Sequence, residues 1–329
     1  MKIAMTADIH LKTRTETPKR WYALENILDQ IISQQIDNLI IAGDLFDIDT
    51  RNYSEFDQLC NQEKHRQIAF HIIPGNHDSG VNPQSFASQN ITVYDQPSTV
   101  TLGNKNVFFA PYVENKTMAE AFAENRALLK KPWILVGHGD YMSSAHNPNP
   151  LEPGIYMPLS KKALNQYQPA ITLLGHIHKP LQTPEKVYYP GSPCGLDITE
   201  TGRRKFLVLD LENLQTKQVH VDSKVLYFDE NIVVYPLENE KEFWKEKVAT
   251  LQEKWNLSET EKEKTVLRIE ISGYSANRRE LKKYFEETFQ DFSFWKEEGI
   301  DISQVKSSQN QELLRISEQI SSKINRLEL

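Results

Sequence analysis

Residues 38–47 read Asn-Leu-Ile-Ile-Ala-Gly-Asp-Leu-Phe-Asp, an apolar run that stops at Gly43 and delivers Asp44 and Asp47 directly behind it. A short run rich in Ile and Leu, closed by a turn residue, predicts a strand buried on both faces. The same pattern recurs on either side. Lys2–Ala7 runs into Asp8-Ile9-His10, and Ile68–Ile73 into Pro74-Gly75-Asn76-His77-Asp78. Trp133–Val136 runs into Gly137-His138, and Ala170–Leu174 into Gly175-His176-Ile177-His178. Asn106–Ala110 is a further strand-like run. Between the first two runs, Pro18–Gln35 sets Trp21, Leu24, Ile27, Leu28, Ile31 and Ile32 on one helical stripe, and Thr117–Lys130 reads as a second helix. Strands alternating with helices predict an α/β layered sandwich.

Further along, the texture changes. Phe206–Leu211 and Lys217–Val221 flank Asn213 as a hairpin would. From about Asn239 a smaller α+β unit is expected: a helix over Glu240–Asn256, a strand over Thr265–Ser272, a helix over Ser275–Phe289 and a short strand at Phe292–Trp295. Lys306–Asn310 reads as a polar linker. Beyond it Leu313, Ile316, Ile320, Ile324 and Leu327 fall at intervals of three and four, the stripe of an amphipathic helix. The chain therefore divides into 1–225, 226–305 and 306–329.

The 329 residues exceed one ordinary core, and 39% hydrophobic with 25% charged residues is the balance of a folded chain rather than a disordered one. No stretch approaches the ~20 apolar residues that cross a bilayer. The N-terminus enters a strand without a signal-type apolar core, so no membrane and a cytoplasmic location are expected. Cys60 and Cys194 show no metal-type spacing, which argues against a disulfide scaffold and a zinc-thiolate site. Of the net charge of −7, residues 226–329 carry 16 Lys/Arg against 21 Asp/Glu, which is −5, leaving −2 for residues 1–225. Bulk charge does not favour a polyanion, so a phosphate-bearing substrate would need local patches or bound cations.

In an open α/β sheet, ligands bind beyond the carboxyl ends of the strands. Five endings then bring Asp8, His10, Asp44, Asn76, His138, His176 and His178 to one sheet edge. The spacings Asp8-x-His10 and His176-x-His178 put both members of each pair on one side of an extended backbone. Any one of these residues alone reads more simply as a turn residue or cap. Seven at five successive endings read as a metal centre. Imidazole, carboxylate and amide oxygens together suit Mn²⁺, Fe²⁺ or Zn²⁺, and Asp44, beside Gly43, is the candidate bridge between two ions.

This ordered series resembles the calcineurin-like metallophosphoesterase superfamily over roughly residues 1–180. The resemblance implies a β-sandwich flanked by helices and a dinuclear centre. One divalent ion would be held by Asp8, His10, Asp44 and His178, the other by Asp44, Asn76, His138 and His176. His77 would be the non-ligand acid beside the scissile phosphate. Within the superfamily the chain is similar to the SbcD-type DNA repair nucleases. The likeness rests on Asp8-Ile9-His10-Leu11, on Gly43-Asp44-Leu45-Phe46-Asp47, on Tyr189-Pro190-Gly191-Ser192-Pro193 followed by Glu200 and Lys205-Phe206, and on Val266-Leu267-Arg268-Ile269-Glu270 in the appended unit. It implies an exonuclease and single-strand endonuclease acting on DNA ends, with Mn²⁺ preferred and Fe²⁺, Zn²⁺ or Mg²⁺ as substitutes. It also implies a capping role for the appended unit, a coiled-coil ATPase of the SbcC type as partner, and room for a homodimer. Lys12 stands where that family usually has Gly, and Asp140–Ser160 matches none of its patterns.

Outside the motifs, His65, His71, His146 and His220 read as ordinary. Asp47 is expected to orient His10 or another ligand. Asp78 reads equally as such an orienter or as a turn cap. Lys161-Lys162, Arg203-Arg204-Lys205 and Arg278-Arg279 with Lys282-Lys283 read as solvated surface. The alternative function is a phosphodiesterase acting on a nucleotide or another small diester.

Overall fold

The structure, a computed structural model, describes residues 1–50, 52–142, 154–307 and 316. The chain divides into two compact units, Met1–Cys194 with Arg203–Lys224, and Gly195–Gly202 with Val225–Leu329.

In the first unit the described residues form two six-stranded sheets. One holds β1 (Lys2–Thr6), β2 (Asn38–Ala42), β3 (Ala69–Ile73) and β4 (Ile91–Val93), side by side and parallel. The chain then crosses to the other sheet with β5 (Ser98–Leu102), β6 (Lys105–Ala110) and β7 (Trp133–His138). After a two-stranded ribbon of β8 (Tyr141–Met142) and β9 (Leu159–Ser160), that sheet resumes with β10 (Ile171–Gly175), β11 (Leu181–Gln182) and β12 (Val187–Tyr189). The hairpin of β13 (Lys205–Asp210) and β14 (Thr216–His220) returns to the first sheet and pairs antiparallel with β1.

Burial explains the apolar runs. Every residue of β2 is buried, and Ile40 and Ala42 join Ile3, Met5, Val107, Phe109, Ile134, Val136, Ile171 and Leu173 in one core that draws on both sheets. Each such side chain contributes about 1.5–3 kcal/mol when fully buried. Helix α1 (Pro18–Ser33) opens on a proline and buries Trp21, Leu24, Ile27, Leu28 and Ile31, whereas Ile32 is only half-buried. It is followed by α2 (Ser54–Cys60). The helix expected over Thr117–Lys130 is shorter. In α3 (Met118–Glu124) the Thr117 hydroxyl and the Glu120 carboxylate cap one another, and Asn125 at φ −115° ends the helix before a single turn at Arg126–Leu128. Together with α4 (Lys161–Tyr167), α3 covers a second core around Phe108, Phe122, Trp133, Leu135 and Leu164.

The second unit runs β15 (Leu226–Val234), α5 (Glu240–Trp255), α6 (Glu259–Lys262), β16 (Thr265–Ser275), α7 (Arg278–Thr288), β17 (Ser293–Phe294) and β18 (Ile300–Ser307). β16 is central and pairs in parallel with β15, β17 and β18. Trp244, Trp255, Leu267, Ile269, Ile271, Leu281 and Phe285 form its core. Two expectations change here. Ser275 closes β16 instead of opening a helix, and Asn277 caps α7. Lys306 and Ser307 are strand rather than linker, because they pair with Tyr274 and Ser275. The rest of the expected linker and the helical stripe lie outside the described residues, apart from Ile316, which is helical and 47% exposed. No helix among the described residues is long and apolar enough to cross a membrane.

Candidate metal centre

β1, β2 and β3 end side by side, and just past those ends stand Asp8, His10, Asp44, Asn76 and His77. In the other sheet β7 and β10 are neighbours, ending at or just before His138, His176 and His178. The expectation of one sheet edge is therefore corrected. The endings come from two sheets, because the chain crosses between them after β4, and the side chains converge across the sandwich. His10 Nε2 lies 3.1 Å from His178 Nε2, and Asn76 Oδ1 lies 2.8 Å from His138 Nε2 and 3.2 Å from His176 Nδ1. Asp44 Oδ2 stands between the two sides, 3.7 Å from His10 Nε2 and 3.4 Å from His138 Nε2. Three overlapping groups have ligand atoms within 4.8 Å of one another: Asp8 with His10 and His178, His10 with Asp44 and His77, and Asp44 with His138 and His176.

The backbone is strained where it carries these residues. Asp8, His10, Asp44 and His176 all adopt positive φ, at 55°, 52°, 50° and 96°. Such conformations cost of order 1–3 kcal/mol each and persist only where surroundings over-determine them. Here the strand-end loops bond to one another. Asp8 N–H donates to Gly43 O at 3.1 Å and His10 N–H to Asp44 O at 2.9 Å. His176 N–H donates to Asp8 Oδ1 at 2.8 Å and His77 N–H to Asp44 Oδ1 at 2.9 Å. A Cβ at Gly43 would collide with the His138 ring, and one at Gly75 with the Asp44 carboxylate.

Asp8 and Asp44 are fully buried, and Oδ2 of each finds no hydrogen-bond partner among the described residues. A buried carboxylate oxygen left without a donor is costly, and a divalent cation beside imidazole nitrogens is what satisfies it. The residues present fit such ions. Burial pushes the Asp8 carboxyl up to about 7, against the pull of His178 and His138, and pushes the His10 imidazole down to about 3. Burial would likewise raise Asp44, but His138, His10 and His77 outweigh it and hold that carboxyl below its usual range. His138 rises to about 9 despite its burial, because Asp44 and Asp8 stand beside it. Its Nδ1 lies 2.9 Å from the Ala42 carbonyl, which can only accept, so Nε2 is the nitrogen turned to the centre.

Among the flanking residues, Asp47 and Arg204 differ from expectation. Asp47 turns toward His77, whose Nδ1 is 3.8 Å from Oδ1, rather than toward the His10 ring. That imidazole is the largest influence holding the Asp47 carboxyl below its usual range. Arg20 bonds both Asp47 Oδ2 and the His10 carbonyl, so its guanidinium ties Asp47 to the His10 backbone. Asp78 pins the loops. Its Oδ1 accepts from Gly75 N–H at 2.7 Å and Asp44 N–H at 3.2 Å, and its Oδ2 from Phe46 N–H at 3.2 Å. Arg204, read as surface, is buried beneath His178. Sequence reasoning also missed Asp140, buried with Oδ2 3.9 Å from His176 Nε2 and accepting from Tyr156 N–H at 2.7 Å. The Tyr156 ring packs 4.7 Å from the His176 ring. His65 and His71 take no part in the centre. The first bonds Leu59 O and the second Tyr94 and Asn38, while His146 lies outside the described residues.

The chain is similar to several known proteins. The SbcD component of the nuclease SbcCD from Staphylococcus saprophyticus is 25% identical over 265 residues, covering 69% of this chain and 70% of that protein. Two solved structures are also among the similar chains. One is TT1561 of Thermus thermophilus, with TM-score 0.47 and 13% identity over 67% of this chain and 98% of that one. The other is an archaeal phosphodiesterase, with TM-score 0.38 and 16% identity over 67% and 100%. Residues 1–180 match the calcineurin-like phosphoesterase family, a span that takes in every strand ending described above. The chain belongs to that family.

Proposed function

We propose that this metal-dependent phosphoesterase is a nuclease that hydrolyses phosphodiester bonds at DNA ends through a two-ion centre. The observation that carries the reading is the Asp44 carboxylate, fully buried between the His10 and His138 imidazoles with an oxygen no protein donor satisfies among the described residues. Asp8, His10, Asp44 and His178 would hold one ion, and Asp44, Asn76, His138 and His176 the other. When bound, two divalent cations supply charge neutralisation at the phosphate and a strong oxygen nucleophile at neutral pH. Mn²⁺ is the proposed metal in the cell.

The protein's own groups do the rest. His77, 20% exposed beside a largely buried cluster, can present a protonated ring nitrogen to the departing sugar oxygen. As the P–O bond breaks, that proton passes to the alkoxide and leaves neutral imidazole, a contribution typically worth about 10²–10⁴ in rate. The Asp47 carboxylate stands 3.8 Å from Nδ1 of that ring. Asp78 and the crossed backbone bonds keep Asp44 and Asn76 in place as charge shifts. The similarity to an SbcCD component reaches past the phosphoesterase span, which supports DNA as substrate, a cytoplasmic location and a coiled-coil ATPase as partner.

Activity with and without Mn²⁺ on linear DNA and on bis(p-nitrophenyl) phosphate tests this reading. Metal-dependent cleavage of both supports a nuclease. Cleavage of the small diester alone would assign a small-diester phosphodiesterase instead, and activity on neither would remove the reading altogether.

A further inference from the structure

Beside the proposed ligands, His77, Asp47, Arg20 and Lys12 reach solvent in part and are mixed in charge. His77 is 20% exposed, Asp47 21%, Arg20 19% and Lys12 34%. The two oxygens of Asp47 divide them. Oδ1 faces His77 Nδ1 at 3.8 Å, whereas Oδ2 faces Arg20 Nη1 at 3.3 Å and Lys12 Nζ at 3.7 Å. Asp47 is already well served without the lysine, since Ile48 N–H donates to Oδ1 at 2.9 Å and Arg20 engages Oδ2.

The Lys12 backbone, in contrast to its side chain, is firmly fixed. Its N–H donates to Thr17 Oγ1 at 3.1 Å, and its carbonyl accepts from Trp21 Nε1 at 3.0 Å. The residue before it forms a bridge to Phe46. A strongly hydrated ammonium on a flexible stem is thus anchored by its base at the lip of the site, one carboxylate width from the acid. A partly exposed pair at 3.7 Å, made to a carboxylate that Arg20 and the Ile48 N–H already serve, gains little, so the ammonium can exchange Asp47 for a stronger anion at small cost.

From this arrangement we infer that Lys12 is a specificity-determining residue that receives the phosphate next to the scissile one, so that the site favours diesters that are part of a chain of phosphates. The inference rests on the phosphodiesterase reading above. The scissile phosphate belongs beside His77 and Asp44. Lys12 sits on the far oxygen of Asp47, displaced from that position along the lip, where a following phosphate of a single strand would pass. A small diester has no group to place there.

The test compares wild type, Lys12→Ala and Lys12→Arg in the Mn²⁺-loaded protein. Steady-state kinetics are measured on a single-stranded oligonucleotide and on bis(p-nitrophenyl) phosphate, and binding of a phosphorothioate-linked oligonucleotide by fluorescence anisotropy. In Lys12→Ala, KM for the oligonucleotide should rise about five- to tenfold more than KM for the small diester. The salt dependence of oligonucleotide binding should become shallower by about 0.7 in log–log slope, the release of one contact on a single strand. Lys12→Arg should recover most of both. Equal losses on the two substrates, or a shifted pH profile with an unchanged salt slope, would show that Lys12 works through Asp47 and His77 and would overturn the inference. A wild type that cleaves neither substrate refutes the phosphodiesterase reading itself. One that cleaves only the small diester keeps that reading and removes this inference.

Discussion

Arg204 closes on the backbone carbonyl of His178, while its Nε donates to Ser192 O at 2.9 Å and its Nη2 to Ser192 Oγ at 2.8 Å. Arg204 is 3% exposed, and Arg20 likewise bonds the carbonyl of His10. The two imidazoles whose Nε2 atoms meet at 3.1 Å are therefore each held from behind by an arginine. Arg204→Leu should cost on the order of 3 kcal/mol, since it removes charged donors from buried acceptors. It should also weaken metal binding on the His10 side about 10–100-fold, the usual effect of losing a group that orients a ligand. Arg204→Lys should stay folded yet recover little affinity, because an ammonium cannot span the Ser192 and His178 acceptors together. Metal titration of the folded lysine variant decides the matter, and wild-type affinity there would mean that Arg204 serves only the fold.

His77→Ala should keep two ions per chain and lose about 10²–10⁴ of kcat, because it removes an acid and not a ligand. The measurement is elemental analysis of the purified variant beside its turnover. His77 also belongs to a ligand-type group with His10 and Asp44. A variant that purified with fewer ions would move His77 among the ligands and leave the departing oxygen without its acid.

Asp44→Asn keeps an acceptor for the His77 N–H but removes the negative charge between the His10 and His138 sides. Occupancy should fall at both sites, to below one ion per chain at metal concentrations that saturate the wild type. Asp8→Asn should empty mainly one. Two tightly held ions in Asp44→Asn would transfer the bridging role to another residue.

The strand endings were legible because run, glycine and metal-type side chain are contiguous in sequence. Asn38–Ala42 is a strand with the expected bounds, and Gly43 makes the close approach to His138 that its lack of a side chain permits. What could not be read depends on partners far along the chain. Arg204 reaches back 26 residues to His178, and nothing in Arg203-Arg204-Lys205 distinguishes the buried arginine from its neighbours. Asp140 finds Tyr156 N–H across a segment without a recognisable pattern. β15 carries Asp229 and Glu230 at its centre and so did not resemble a strand. Asp229 is accommodated by the Arg268 guanidinium directly opposite in β16. β18 reads as alternating polar residues, the composition of a strand with one open side.

A pH dependence of stability should arise from a histidine that takes no part in the centre. His71 in β3 lies 2.9 Å from Tyr94 Oη through Nδ1 and 2.9 Å from Asn38 Oδ1 through Nε2, with the Phe109 ring stacked 6.0 Å away. Burial lowers its imidazole from an ordinary 6.5 to about 4. The folded state therefore holds it neutral through a range in which the unfolded chain takes up a proton. The sign follows from linkage: stability is fully present above about 6.5 and is lost as pH falls toward 4, by about 3 kcal/mol in all. Glutamine can accept from the Tyr94 hydroxyl and donate to Asn38 without titrating. His71→Gln should thus be somewhat less stable than wild type at pH 8, through lost stacking, and should close or reverse that gap by about pH 4.5. Chemical denaturation of both proteins at several pH values gives the difference directly, and titrations common to the two, including those of Asp8 and Asp78, cancel in it. A stability gap that stays constant from pH 8 to pH 4.5 would show that His71 is protonated in the folded protein, or that its site opens readily enough to admit the proton.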